Sequence, residues 1–177
     1  MVPLECSVDS DIKKILNDVL EREGWPKYTE HPHDRGGPTK GGITIRTLEQ
    51  WRQRRVTRQE LERLPKNEAL AILERRYVDS NGINKIQNRV LREQVIDNAV
   101  LSGPVLAAKD LQTVLDVDVD GIIGTKTLTA LIAQDQEYIS NKLAVVRSLR
   151  LARFVQKNPK QLTFLVGWLR RTLGFVT

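Results

Sequence analysis

Ile12, Ile15, Leu16, Val19 and Leu20 recur at three- and four-residue spacings, with Lys13, Lys14, Asp18 and Glu21 between them. That pattern predicts an amphipathic helix with one buried face. Asp9 or Ser10 is placed to cap its start and Gly24 to end it. Glu23 is the next position on the apolar stripe, three residues after Leu20 and four after Val19, so the periodicity points its carboxylate inward. Thr44 or Thr47 then opens a helix through Trp51 to about Arg55, and Thr57 with Glu60 makes a capping box for a short helix reaching Leu64. Asn67 precedes a helix from Glu68 to Tyr77 with Ala69, Ile72, Leu73 and Tyr77 as its stripe, before Asn81-Gly82 breaks the chain. Val90 to Leu101 is helical, Ser102-Gly103 stops it, and Pro104 suits the first turn of a helix reaching about Leu115. Thr125 caps Lys126 to Ile132, Gln136 to Val155 reads as a long helix, and Gln161 to Leu173 as a final one.

Strand or hairpin character is confined to Tyr28–Thr44. The fold class is therefore mainly α, or α+β with a small β-hairpin. No repeat or low-complexity linker divides the chain, so any subdomain is packed onto the rest as one compact unit. A chain of 177 residues is long enough to bury such a core, and the single Cys6 excludes an intramolecular disulfide as its support.

The chemistry with the clearest local signal starts at Glu23. A carboxylate held against apolar side chains resists ionisation, which is the state a general acid requires, and glycosidic oxygen leaves poorly unless protonated. The competing reading is a solvated helix-end glutamate paired with Arg22 or Lys27.

Glu23-Gly24, Tyr28 and then Asp34-x-Gly36-Gly37-Pro38-Thr39-x-x-Gly42-Ile43-Thr44 resemble the start of the N-acetylmuramidases of glycoside hydrolase family 108, common as phage endolysins. Trp25 stands where the family usually has a second glycine, and Pro26-Lys27 precede the tyrosine. Arg76-Tyr77 is similar to the family's aromatic pair, with Val78 in place of the second aromatic. Asp97-Asn98-Ala99-Val100-x-Ser102-Gly103-Pro104 is similar to its helix-ending segment. Leu111-Gln112 followed by Val119-Asp120-Gly121-Ile122-Ile123-Gly124-x-Lys126-Thr127-Leu128 resembles the peptidoglycan-binding region that completes these lysins, and Gly167-Trp168-Leu169-x-Arg171 fits it too.

The resemblance implies a lysozyme-like fold, a muramidase region over 1–102 with a peptidoglycan-binding region over 103–177 packed on it, and hydrolysis of the β-1,4 bond between N-acetylmuramic acid and N-acetylglucosamine. It makes Glu23 the proton donor, Asp34 the second carboxylate, and Thr39 or Thr44 a holder of the attacking water. Asp34 reads equally as a brace of the Gly-rich turn. Tyr28, Thr44, Tyr77, Asp97 and Asn98 are the expected sugar contacts, although Tyr77 also continues the stripe of its helix. Alternatives of other kinds stay open: a lytic transglycosylase using the same glutamate, a wall-binding protein without catalysis, or a basic regulator of nucleic acid.

The remaining constellations change this picture little. Asp116-x-Asp118-x-Asp120-Gly121 begins like a calcium loop but has Thr127 where a bidentate Glu is required, so Asp120-Gly121 and Gly124-Thr125 read as turn and cap. His31 and His33 with Asp34 fall short of a zinc set, and no metal or other cofactor is expected. With both histidines in that loop and no Gly-x-Ser-x-Gly elbow, a Ser-His-Asp or Cys-His hydrolase is disfavoured. The net charge of +6 favours polyanions in general: cell-wall polymer, an anionic lipid surface or nucleic acid. Arg52, Arg54, Arg55 and Arg58 around Trp51 carry no recognition motif, so they read as a solvated face and no nucleic-acid partner is expected. Leu162, Leu165, Val166, Trp168, Leu169 and Leu173 with Arg170 and Arg171 suit either a core helix, the favoured reading, or a membrane-surface helix. The acidic first ten residues lack the apolar run of a secretory signal, and no stretch is long enough to span a bilayer. For a lysin this implies a monomer made in the host cytoplasm and released to the wall by a separate holin.

Overall fold

The computed structural model describes residues 10–30 and 37–176. Cys6, His31, His33 and Asp34 lie outside them. The chain divides into two compact units, Met1–Arg76 and Tyr77–Thr177.

In the first unit, α1 (Ser10–Arg22) buries Ile12, Ile15, Leu16, Val19 and Leu20, as their spacing predicts. This face packs on α4 (Lys66–Glu74), which contributes Ala69, Ile72 and Leu73. Each aliphatic side chain withdrawn from water contributes about 1.5–3 kcal/mol, so this two-helix contact is the unit's main apolar gain. Between the two helices come β1 (Tyr28–Thr29), β2 (Thr39–Lys40) and β3 (Ile43–Thr44), an antiparallel sheet in sequence order. Thr44 is the cap that starts α2 (Ile45–Arg52), its hydroxyl accepting from the Thr47 N–H. Helix α2 stops short of Arg55 because Gln53 adopts a left-handed conformation at φ 56°. Helix α4 starts earlier than Asn67 suggests, with Pro65 as its cap.

Helix α3 (Arg58–Glu62) carries both halves of the capping box. The Glu60 carboxylate is held down to about 2, first by the hydrogen bond from Arg54 and next by the Thr57 backbone N–H. A carboxylate depressed in the folded state stabilises it above its unfolded value near 4.5 and loses that stabilisation as pH falls through about 2. Urea midpoints measured across this window should therefore fall more steeply for the wild type than for Glu60→Gln. Added salt should shrink the difference because the pair is partly solvated, and parallel curves at low salt would remove Glu60 from the acid response.

The four arginines around Trp51 are an ion-pair network. Arg52 bridges Glu60 at 3.2 Å and Glu68 at 2.7 Å, Arg54 meets Glu60, Arg55 meets Glu49 at 3.6 Å and Arg58 meets Glu30 at 2.8 Å. Each guanidinium has a carboxylate beside it, and Arg54, Arg55 and Arg58 remain largely exposed, so the cluster is a solvated face as its sequence suggests, with its charge balanced locally.

A π turn, Arg75–Asp79, follows α4. A π turn takes up one extra residue, so the buried stripe steps from Leu73 to Val78, while Tyr77 is only half-buried. Tyr77 therefore does not continue the stripe of its helix as a core residue.

The second unit is built from α5 (Arg89–Ser102), α6 (Pro104–Leu115), α7 (Thr125–Ile132), α8 (Gln136–Lys157) and α9 (Leu162–Leu173). Its core joins Leu91, Val95 and Ile96 of α5, Leu111 of α6 and Ile139, Leu143 and Leu151 of α8. Ala99, Ala107, Ala108 and Ala144 are buried with them and let the three helices approach closely. Gly103, at φ +92°, turns α5 directly into α6, and these two helices pack on each other. That packing places the compact boundary at Arg76/Tyr77 rather than at the Gly103 break.

Two details of the sequence reading are corrected here. Thr125 is the first residue of α7 and not its cap, and Gly124 has φ −101°, so Gly121 at +86° alone carries the positive dihedral of that turn. Helix α9 is not a core helix: Thr172 is its buried residue, while Leu162, Phe164, Val166 and Leu173 are exposed. Its apolar arc is wider than the face that packs on α8.

Candidate functional site

Glu23 lies one residue beyond the end of α1, its N–H donating to Val19 O at 3.0 Å. It is exposed, which corrects the expectation of an inward carboxylate. The helix ends at Arg22 and Gly24, at φ +85°, reverses the backbone, so the side chain leaves the direction of the stripe. The Trp25 N–H still reaches Leu20 O at 3.1 Å, and Lys27 N–H closes a turn on Gly24 O at 2.8 Å.

What Glu23 faces is the turn between β2 and β3. Gly41 and Gly42 have φ +54° and +75°, the two positive values that a tight two-residue hairpin of this hand needs. A Cβ built on Gly42 would stand 3.6 Å from Glu23 Oε2, and one on Gly41 would stand 2.8 Å from the Trp25 ring and 2.9 Å from Leu20 Cδ1. The hairpin tip is thus pressed onto Trp25 and against the Glu23 side chain. Any side chain at Gly41 would separate them. Lys40 completes the seat: its ammonium lies 4.7 Å from the Trp25 ring centroid and donates to Glu62 O at 2.6 Å and Leu64 O at 3.1 Å. Trp25, the departure from the family pattern, is the platform for this turn.

Register sorts the other expected residues. Thr39 pairs with Thr29 and with Thr44, so the three threonines share one face of the sheet, opposite buried Lys40 and Ile43. The Thr39 and Thr29 hydroxyls are 2.9 Å apart. Thr44 is engaged as the α2 cap, 3.0 Å from the Thr47 hydroxyl, which also accepts from Arg76 at 3.0 Å. Tyr28 donates to Glu30 at 3.0 Å, and its pKa is pushed up, first by desolvation and then by the Glu30 carboxylate. The first unit therefore brings Glu23, Tyr28, Thr39 and Thr44 to one end of α1 and its sheet. Asp34 lies outside the described residues.

Asp97 and Asn98 serve otherwise than expected. Both are 0% exposed. Asp97 binds Arg147 at 2.8 Å through one oxygen and Arg171 at 2.6 Å through the other. Asn98 donates to Asp110 at 2.9 Å and accepts from Arg150 at 2.9 Å. With their polar atoms committed to a buried network, they have no surface for a sugar to touch. This corrects their reading as cleft residues. Burial lowers the pKa of the Arg147 guanidinium while the Asp97 charge opposes that shift.

The sequence marks Leu111-Gln112 as part of a motif but not the role of Gln112, which organises the loop between α6 and α7. Gln112 is buried. Its amide donates to Asp120 at 2.7 Å, Ile122 O at 3.0 Å and Thr127 at 3.2 Å, and its carbonyl accepts from the Gly121 N–H at 2.7 Å. Asp120 is thereby held below the ordinary carboxylate range, first by Gln112 and then by the Ile122 N–H. Val119 and Ile122 project outward from this fixed loop.

Residues 16–103 match the family model of glycosyl hydrolase 108, and residues 106–173 match that described as "Predicted Peptidoglycan domain". The two models divide the chain near Gly103, whereas compactness divides it after Arg76. Among curated proteins none matches the chain. Among solved structures, Brucella abortus SagA is similar, at 31% identity and TM-score 0.73, over 96% of this chain and 97% of that one. The mainly helical fold with one small sheet is the lysozyme-like arrangement expected of such a sequence.

Proposed function

This chain belongs to glycosyl hydrolase family 108 and is a glycoside hydrolase acting on peptidoglycan, and from that premise we propose that Glu23 is the acid by which it cleaves the β-1,4 bond between N-acetylmuramic acid and N-acetylglucosamine. The observation that carries the assignment is the exposed Glu23 carboxyl seated against the Gly41-Gly42 hairpin tip, where a polymer strand can reach it. Glu23 gives its proton to the glycosidic oxygen, water adds to the anomeric carbon of the muramic acid, and a reducing end is left. Asp34 serves as the second carboxylate, with Thr39 positioning the water. Tyr28 and Thr44 border the sugar strand on the first unit. The domain assignment follows function: 1–102 for catalysis, and 103–177, with its Gln112-ordered loop, for holding the wall.

We read the protein further as a monomeric phage lysin that reaches the wall from the host cytoplasm through a separate holin. Digested peptidoglycan, reduced and examined by mass spectrometry, tests the chemistry. New reducible muramic acid ends are expected. Anhydro-muramic ends would make the protein a transglycosylase, and wall binding without new ends would make it a wall-binding protein.

A further inference from the structure

Residues 138–177 hold eight of the chain's 28 lysines and arginines and none of its 22 acidic residues. The whole positive balance of the protein therefore resides in α8 and α9. Three of these cations are spent internally: Arg147 and Arg171 on Asp97, and Arg150 on Asp110. Arg153, Lys157, Lys160 and Arg170 are exposed, and no carboxylate is within ion-pair distance of them among the described residues.

The same two helices leave apolar surface uncovered. Leu162, Val166, Leu169 and Leu173 recur at four-, three- and four-residue spacings along α9, which makes them one stripe. Leu162 is 62% exposed, Val166 59% and Leu173 50%. Phe164 stacks on Trp168 with centroids 5.9 Å apart, and Trp168 meets Phe154 of α8 at 6.0 Å, so the aromatic cluster continues the surface onto α8. An aliphatic stripe beside half-buried indole, rimmed by cations, is the composition of a helix that lies in a lipid headgroup layer. Neither α8 nor α9 is long and apolar enough to cross a membrane.

We propose that the exposed face of the α8–α9 hairpin docks on an anionic phospholipid bilayer, with the Leu162-Val166-Leu173 stripe entering the interface and Arg153, Lys157, Lys160 and Arg170 meeting headgroup phosphates. Charge decides the occupant. A second copy brought up by two-fold symmetry would set the same four cations against each other, whereas an anionic bilayer complements all of them. The proposal does not depend on which glycosidic bond is cleaved.

Cosedimentation of the full chain with phosphatidylcholine vesicles, with and without phosphatidylglycerol, tests it. Binding is expected with the anionic lipid alone and should fall as salt rises. Lys157→Gln and Lys160→Gln should each weaken binding roughly fivefold, since a cation near such a surface is worth about 1 kcal/mol. Val166→Glu, an exposed position that leaves the core intact, should abolish binding. Equal binding to neutral vesicles, or anionic binding indifferent to Val166→Glu and both lysine variants, would overturn the proposal. So would failure to sediment, or a concentration-dependent doubling of mass by light scattering that Val166→Glu removes, which would give the face to a second copy.

Discussion

Glu23→Gln is expected to lower the initial rate of peptidoglycan cleavage by a factor of about 10²–10⁴, the range lost when a positioned general acid is removed. The substitution keeps the size of the side chain and removes its transferable proton. Because the residue is exposed, the urea midpoint should move by no more than about 0.5 kcal/mol in stability. That separation of chemistry from folding is the useful feature of the variant. Release of reducing ends, followed for both proteins at matched concentration, checks it. A variant that keeps wild-type turnover would remove Glu23 from the reaction.

The largest effect on stability is expected at Asp97. It is fully buried, as is Arg147, whose Nε and Nη1 already find no protein partner among the described residues. Asp97→Asn leaves a buried guanidinium without its counter-charge and weakens the hold on Arg171, a change that costs about 3–5 kcal/mol when one member of a buried pair is removed. The double variant Asp97→Leu/Arg147→Met should recover much of that loss, since it removes the buried charges together. Urea denaturation of Asp97→Leu, Arg147→Met and the double variant gives the coupling directly. Additive losses would mean that the pair does not act as a unit. The same experiment tests the assignment of Asp97 to structure, because a sugar-contacting aspartate would affect cleavage and leave unfolding unchanged.

Most helices were readable because their buried residues obey a three- and four-residue rhythm, as Ile12 to Leu20 do, or because a cap is written locally, as in Thr57 with Glu60. The hairpin was readable from Lys40-Gly41-Gly42-Ile43, where two positive dihedrals fall on two glycines. What escaped depends on events that periodicity does not record. A π turn shifts the phase between Leu73 and Val78, and the helix carrying Glu23 stops one residue too soon for the stripe to bury it. Asp97 and Asn98 look like surface chemistry in sequence because their partners Arg147 and Arg150 lie about fifty residues away. The α9 pattern is the same whether its apolar face meets protein or lipid; exposure alone separates the two. Gln112 is visible in sequence only as part of the Leu111-Gln112 motif, since one glutamine in a helix says nothing of the loop it will gather.

That glutamine fixes the entropy of the loop it holds. Four hydrogen bonds from one buried amide, spread over Asp120, Gly121, Ile122 and Thr127, restrict the backbone before any ligand arrives. Val119 and Ile122 are therefore presented by a segment already close to a single conformation. Any ligand that settles on them meets a rigid surface and is spared the ordering penalty that a free loop of this length would impose on association.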